Sequence, residues 1–98
     1  MSNRPKFFPG MVLMTPGVEA LLDRLGGPRD LVQAFRRHIR GDWGDMPEED
    51  KAANDASLED GSRLMSAYKI GGEKVWIITE AGDSRDREVT TFLLPSEY

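Results

Sequence analysis

The stretch RLMSAYKIGGEKVWIITE, residues 63–80, decides the fold. Its apolar and polar residues alternate with a period of two, and it is rich in β-branched and aromatic side chains, which is typical of strands. Gly71-Gly72 divides it into Arg63–Ile70 and Lys74–Glu80, a pattern that predicts a tight antiparallel hairpin. In Val75–Ile78 both strand faces are apolar. We therefore expect the second strand to be central and covered on both sides.

A third strand is predicted at Glu88–Leu94, where Pro95 ends the pattern. The polar segment Ala81–Arg87 would be the loop that leads into it. Residues 61–98 are therefore expected to form a three-stranded antiparallel meander.

Residues 11–60 are expected to be mainly helical, with one short strand at Met11–Met14. Thr15-Pro16 resembles a helix N-cap followed by proline at the first helical position. A second helix should begin near Pro28 and end at Gly41. The apolar faces of these two helices repeat at helical spacing and comprise Val18, Leu21, Leu22 and Leu25 in the first, and Leu31, Val32, Phe35 and Ile39 in the second.

A third helix is predicted from about Met46 to Glu59. Asp45 and Glu48, three residues apart, resemble a capping box at its start. Its apolar face is thin and would consist of Ala52, Ala53, Ala56 and Leu58. Such a helix should pack weakly and leave its acidic residues in water.

The chain has 98 residues, enough for one domain spanning residues 1–98. We expect residues 1–10 to be a flexible arm and the whole to be an α+β domain, in which two to three N-terminal helices pack on the meander. The absence of cysteine excludes disulfides and a cysteine nucleophile, and fits a reducing cytoplasmic location. No apolar run is long enough to span a bilayer, and the first nine residues lack the apolar core of a signal peptide.

Charge is distributed unevenly along the chain. The window Asp42–Asp60 holds eight acidic residues against one base, Lys51, a net charge of −7, whereas the whole chain carries −4. A local field of this kind can steer a partner. The acidic total argues against direct nucleic-acid binding, since that affinity depends mainly on lysine and arginine. The acidic run could equally be a solvated helix face.

The residues around the hinge between the second and third helices are candidates for a site. His38 is the only histidine and is either a packed structural residue or a general acid/base. His38, Asp42 and Asp45 could ligate a hard or borderline divalent metal, although no two-histidine motif supports this. Trp43 lies between Gly41 and Gly44, and either tucks onto the core or serves as an exposed anchor for a partner.

Four segments, HIRGDWG (38–44), RLMSAY (63–68), VWIITEA (75–81) and VTTFLLPSEY (89–98), resemble a group of small proteins carried on bacterial plasmids and integrative elements. The resemblance implies a mobile-element accessory protein that acts against host defence. The loop at 82–87 departs from the group because it is longer. The order of helices followed by a meander is also similar, in topology only, to RelE-like and barnase-like ribonuclease toxins. That likeness implies a metal-independent catalytic set, which His38, Arg63, Thr90 and Tyr98 could supply.

Three hypotheses follow. The first is a non-enzymatic inhibitor of anti-CRISPR or anti-restriction type, which needs no cofactor and places an acidic surface in the basic groove of a host nucleic-acid-handling complex. The second is a small ribonuclease with His38 as general acid/base and Arg63 on the phosphate. The third is a structural module that forms a homodimer through the outer face of the sheet. The partner-binding residues expected under the first hypothesis are Asp42, Trp43, Asp45, Glu48, Glu49, Asp50, Asp55 and Glu59.

Overall fold

The structure, a computed structural model, describes residues 4–98 and confirms an α+β architecture. Three helices precede the three strands of the meander, and a short strand precedes the helices. The elements are β1 (Met11–Met14), α1 (Pro16–Leu25), α2 (Arg29–Ile39), α3 (Glu48–Asp60), β2 (Leu64–Ile70), β3 (Glu73–Thr79), β4 (Val89–Leu93) and a final 3₁₀ turn (Pro95–Glu97).

The sheet has four strands in the order β1-β4-β3-β2. Strands β2, β3 and β4 form the expected antiparallel meander, with Ala67 opposite Trp76 and Ile77 opposite Phe92. Strand β1 extends it by pairing in parallel with β4, in a register that places Met11 opposite Val89. The three helices and the β2–β3 hairpin together form the long connection that such a parallel pair requires.

One face of the sheet carries the helices and the main hydrophobic core. Val75 and Ile77 of β3 lie on this face with Phe92 of β4, and they pack against the apolar stripes of α1 and α2. The buried members of this core are Val18, Leu21, Leu31, Ala34, Tyr68, Ile70, Val75, Ile77 and Phe92.

The opposite face of the sheet is covered in part by the end of the chain. Tyr98 packs edge-on against Trp76 of β3, with ring centroids 5.6 Å apart. Arg63 lies over the Tyr98 ring and donates a 2.6 Å hydrogen bond to its hydroxyl. Ile78 is buried beneath this side of the sheet. Both faces of β3 can therefore be apolar because this single chain covers both of them, with helices on one face and its C-terminal residues on the other.

The two edges of the sheet differ. At the β2 edge, the main chain of Trp43 and Asp45 hydrogen-bonds to Ala67, and the Asn54 side chain of α3 bonds both the amide and the carbonyl of Met65. At the other edge, the four residues of β1 are all exposed. One edge of the sheet is therefore covered by the hinge and α3, whereas the other edge is open.

Helix α3 departs from the sequence prediction in two ways. It begins at Glu48 with Pro47 as its N-cap residue, and no side-chain cap bond is present, so the capping box expected from Asp45 and Glu48 is wrong. The face toward the protein holds Asn54 and Ser57, with Leu58 partly buried. The three alanines expected to form its apolar face, Ala52, Ala53 and Ala56, are exposed.

The N-terminal segment makes defined contacts from Lys6 onward. The Lys6 amide donates to the carbonyl of Ile39 at 2.7 Å, and Phe8 exchanges main-chain bonds with the segment 85–87. Phe7 is buried in a second core cluster with Trp43 and Leu64. These contacts were not expected for the flexible arm predicted over residues 1–10. Residues 1–3 of that arm lie outside the described residues.

Within residues 4–98, none of the helices is both long and apolar enough to cross a bilayer.

Candidate functional site

The hinge between α2 and α3 is locked by its backbone. After α2, the amides of Gly41 and Asp42 bond the carbonyls of His38 and Arg37, the pattern of a Schellman cap. Gly44 has a φ of +71°, and a Cβ built there would lie 2.1 Å from the carbonyl oxygen of Ala67. Glycine is therefore required at 44 both for the left-handed backbone and for close approach to β2.

Trp43, which the sequence left either packed or exposed, is packed. Only 3% of its surface is exposed, so it is not available as an anchor for a partner. Its indole Nε1 donates a 3.0 Å hydrogen bond to Oδ1 of Asp55 on α3. Trp43 thus ties the hinge to α3, and Asp55, expected as a partner-binding residue, already accepts this bond.

His38 is fully buried and lies in a chain of hydroxyl groups. Its Nδ1 is 2.6 Å from Oγ of Ser66, and its Nε2 is 2.8 Å from Oγ1 of Thr79. Thr79 is in turn 2.8 Å from Oγ1 of Thr90, which donates to the carbonyl of Pro9.

The end of this chain determines where the protons are. A carbonyl can only accept, so Thr90 gives its proton to Pro9 and must accept from Thr79. Thr79 therefore accepts from Nε2–H of His38, and Nδ1 of His38 accepts from Ser66. A neutral imidazole uses its one donor and its one acceptor in this chain, whereas a second ring proton would require the Ser66 hydroxyl to turn and accept from Nδ1 instead of donating to it.

Burial reinforces the neutral state of this histidine. Phe7 and Trp43 both approach the imidazole edge-on, at centroid distances of 5.5 and 5.7 Å. Desolvation lowers the pKa of His38 from 6.5 to about 3. His38 is therefore the packed structural residue of the two roles considered, and the hydroxyl groups of Ser66 and Thr79 are its partners.

The candidate metal ligands do not converge. Both ring nitrogens of His38 face hydroxyl groups, and the Asp42 carboxylate forms a two-bond ion pair with Arg37 at 2.8 and 3.1 Å. The Arg37 hydrogen bond also lowers the pKa of Asp42. Within residues 4–98, no group of three or more histidine, aspartate or glutamate side chains is arranged to hold a metal ion.

The four residues expected for a ribonuclease separate into two pairs. His38 and Thr90 are joined through Thr79 on the helix-bearing face of the sheet. Arg63 and Tyr98 contact each other on the opposite face. The sheet lies between the pairs, so they do not share a cleft in which a phosphate could meet both.

The acidic residues of the window Asp42–Asp60 lie on the surface, in contrast to the buried His38 and Trp43. All eight are exposed, and six of them belong to α3, where Lys51 is the only base. The Lys51 ammonium is 3.7 Å from a carboxylate oxygen of Glu48. The two acids outside α3 lie in the hinge, and of these Asp42 is neutralised by Arg37. The acidic surface, which we define as Asp45, Glu48, Glu49, Asp50, Asp55, Glu59 and Asp60, is thus concentrated on one helix and its approach.

The outward alanines shape this acidic surface. Because Ala52, Ala53 and Ala56 are exposed and carry only methyl groups, the carboxylates around them project furthest from the helix. At 1.5 Å per residue, the 13 residues of α3 span about 20 Å. The net charge of −5 on the helix therefore corresponds to roughly one charge per 4 Å, near the 3.4 Å phosphate spacing of a single nucleic-acid strand.

Arg87 holds the C-terminal end of α3, a role that the sequence did not indicate. Its guanidinium is buried and donates to the carbonyls of Ser57, Gly61, Ser62 and Glu80, at distances of 2.7–3.4 Å. A cation at this end also opposes the negative end of the helix dipole. Desolvation lowers the pKa of Arg87, while the carbonyl oxygens accept hydrogen bonds from its buried guanidinium. The residue lies in a polar loop far from α3 in sequence, so no local pattern could have revealed it.

We compared the chain with models of protein families, with curated proteins and with solved structures. None of the three comparisons found a match.

Proposed function

We propose that this chain is a non-enzymatic interaction protein whose acidic surface occupies the basic, nucleic-acid-binding groove of a host defence complex. The observation that supports it best is the set of exposed carboxylates on and beside α3, which approaches the charge spacing of a phosphate backbone. A groove built to attract phosphates would attract such a surface by the same field.

The proposal is also supported by how firmly α3 is fixed. Asn54 bonds the β2 main chain, Trp43 bonds Asp55, and Arg87 holds the last turn. A surface held in place before binding loses less conformational entropy when its partner docks. Because α3 buries little apolar surface, these polar contacts are what hold it against the rest of the domain.

The type of partner rests on the resemblance of the chain to small mobile-element proteins. Elements that enter a new host meet nucleases guided by RNA or by recognition sequences, and such complexes have basic grooves. An acidic occupant would block the groove without cutting or modifying anything. Anti-CRISPR and anti-restriction inhibition are the two forms of this function that we propose.

The experiment is a quantitative pull-down from host lysate with the tagged protein and two charge-matched triple variants. The first variant, Glu48→Lys, Glu49→Lys and Asp50→Lys, reverses the start of α3. The second makes the same charge change at exposed acids elsewhere, with substitutions at Asp23, Asp30 and Glu88. Both variants change the net charge equally, so a difference between them reports position rather than total charge.

We expect the α3 variant to lose the captured complex by about tenfold or more, and the control to retain it, because reversed charges in an interface create like-charge contacts. Capture by the wild type should weaken at high salt, where the Debye length shortens. Equal capture by all three proteins, at low salt, would contradict the proposal. A circular-dichroism melt of each variant separates loss of binding from loss of fold.

A further inference from the structure

The edge strand β1 carries a docking surface that is separate from the acidic surface. Strands β4 and β3 lie between β1 and β2, so at about 4.8 Å per strand this edge is some 14 Å from the one covered by α3. The four residues Met11–Met14 are apolar and exposed, and Met11 has 65% of its surface in water. Edge strands usually carry a charge or a bulge that prevents pairing with another chain, and β1 has neither within its four residues.

The main chain of β1 has hydrogen-bonding groups directed away from the sheet. Met11 donates to Glu88 and Thr15 donates to Phe92, so the residues at odd positions bond to β4. In a parallel ladder the residues between them point the other way. The amides and carbonyls of Val12 and Met14 therefore face the open side, where the part of the chain that the structure describes has no further strand.

An apolar groove runs beside this edge, between β1 and α2. It encloses about 180 Å³ and is lined only by apolar side chains. Val32, on the outer wall, is 43% exposed although it belongs to the apolar stripe of α2. A strand added to β1 would continue the sheet beneath α2 and would cover the groove with every second side chain. The residues that line the groove are Val12, Met14, Pro28, Leu31, Val32, Phe35 and Phe92.

The charges beside the groove indicate what would bind there. Arg29 and Arg36 precede and follow Val32 by one helical turn, so all three lie on the same side of α2. Both arginines are exposed, and within residues 4–98 neither forms an ion pair. They are seven positions apart along the helix, which corresponds to about 10.5 Å. In a strand, residues four apart on one face are about 13 Å apart, a span that two flexible arginines can reach.

We propose that β1 accepts an extended segment of another protein by strand addition, and that the segment has an apolar side chain in the groove flanked on the same face by two carboxylates. A second copy of this chain fits less well, because pairing β1 with itself would bring Arg29 and Arg36 of the two copies together. The site uses the open edge and groove, and it does not depend on the function proposed for the acidic surface.

The test is an NMR titration of the ¹⁵N-labelled protein with two capped heptapeptides. The first peptide has the sequence Thr-Glu-Thr-Val-Thr-Glu-Thr, which places two glutamates and the valine on one face of a strand. The second peptide has lysine in place of each glutamate. The acidic peptide should shift the amides of Met11–Met14 and the exposed side of α2, while the lysine peptide should leave them unmoved. Equal shifts with both peptides, or no shift with the acidic peptide at low-millimolar concentration, would overturn the proposal.

Variants locate the binding more closely. Val12→Pro removes an outward amide that does not bond to β4. It should lower the affinity for the acidic peptide about tenfold, because one hydrogen bond is lost and the proline ring obstructs the added strand. Val32→Ser changes only the groove wall and should also weaken binding, which keeps the test decisive if the proline variant unfolds. Unchanged affinity in a folded Val12→Pro variant, or in Val32→Ser, would contradict the proposed pairing.

The charge requirement has a matched control. Arg29→Glu with Arg36→Glu should abolish binding of the acidic peptide, whereas Lys69→Glu with Lys74→Glu, on the far hairpin, should preserve it. Light scattering on the protein alone provides a separate check. A dimer that Val12→Pro dissolves would show that the occupant is a second copy and would overturn the proposed acidic partner.

Discussion

The neutral state of His38 predicts a specific dependence of stability on pH. The pKa of this histidine falls from 6.5 to about 3 on folding, so the unfolded chain binds more protons between these values. The contribution of His38 to stability is therefore complete above about pH 6.5 and is lost as the pH falls toward 3. From pH 7 to pH 5, the linkage relation gives a loss of about 2 kcal/mol in the free energy of unfolding.

A loss of this size is large for a domain of 98 residues, whose total stability is typically about 5–15 kcal/mol. Most carboxylates titrate below about pH 5, so they contribute little within this window. The matched variant is His38→Gln, whose amide can accept from Ser66 and donate to Thr79 but does not titrate. Urea unfolding at several pH values from 7 to 5 should show the fall in the wild type and an almost level stability in the variant.

The NMR signal of the single imidazole gives a direct second readout. We expect its Hε1 resonance to stay at the neutral position down to the onset of acid unfolding. A titration with a midpoint near 6.5 in the folded protein would refute the reasoning, as would equal loss of stability in the wild type and His38→Gln.

Three further predictions concern the hinge and α3. Gly44→Ala should destabilise the protein by at least about 2 kcal/mol more than Gly72→Ala in urea unfolding, since both glycines have positive φ but only the Cβ at 44 meets the main chain; equal losses would contradict the proposed close approach. Arg87→Met should cost about 3 kcal/mol by leaving buried carbonyls without donors, which a denaturation midpoint measures and an unchanged midpoint would exclude. Asn54→Ala should cost about 2 kcal/mol and speed hydrogen exchange at the β2 edge, and unchanged exchange there would disprove the attachment.

The fold could be predicted where local patterns determine it. The period of two in residues 63–80 and the double glycine correctly predict the β2–β3 hairpin. Thr15 caps α1 as expected, because its side chain accepts a hydrogen bond from the amide of Val18. The parallel pairing of β1 with β4 could not be predicted, because it joins segments about 80 residues apart and leaves no periodic signal at either. The inward face of α3 could not be predicted, because two hydrogen bonds compensate the burial of Asn54 and its polarity therefore does not indicate exposure.

The candidate site was predicted only in part, for a similar reason. The exposed carboxylates follow directly from composition, since isolated charges remain in water. Whether Trp43 and His38 are buried depends on tertiary partners, namely Asp55 for the indole and the hydroxyls of Ser66 and Thr79 for the imidazole. Those partners lie 12 to 41 residues away, and nothing near Trp43 or His38 in sequence distinguishes a satisfied polar group from a free one.

The central claim is that the acidic surface competes with nucleic acid for one groove. The most direct measurement is fluorescence anisotropy of a labelled oligonucleotide bound to the purified partner complex, titrated with this protein. We expect the wild type to displace the oligonucleotide, and the variant reversed at Glu48, Glu49 and Asp50 to leave it bound. If the oligonucleotide stays bound in the presence of saturating wild-type protein, or if the reversed variant displaces it equally well, the account is contradicted.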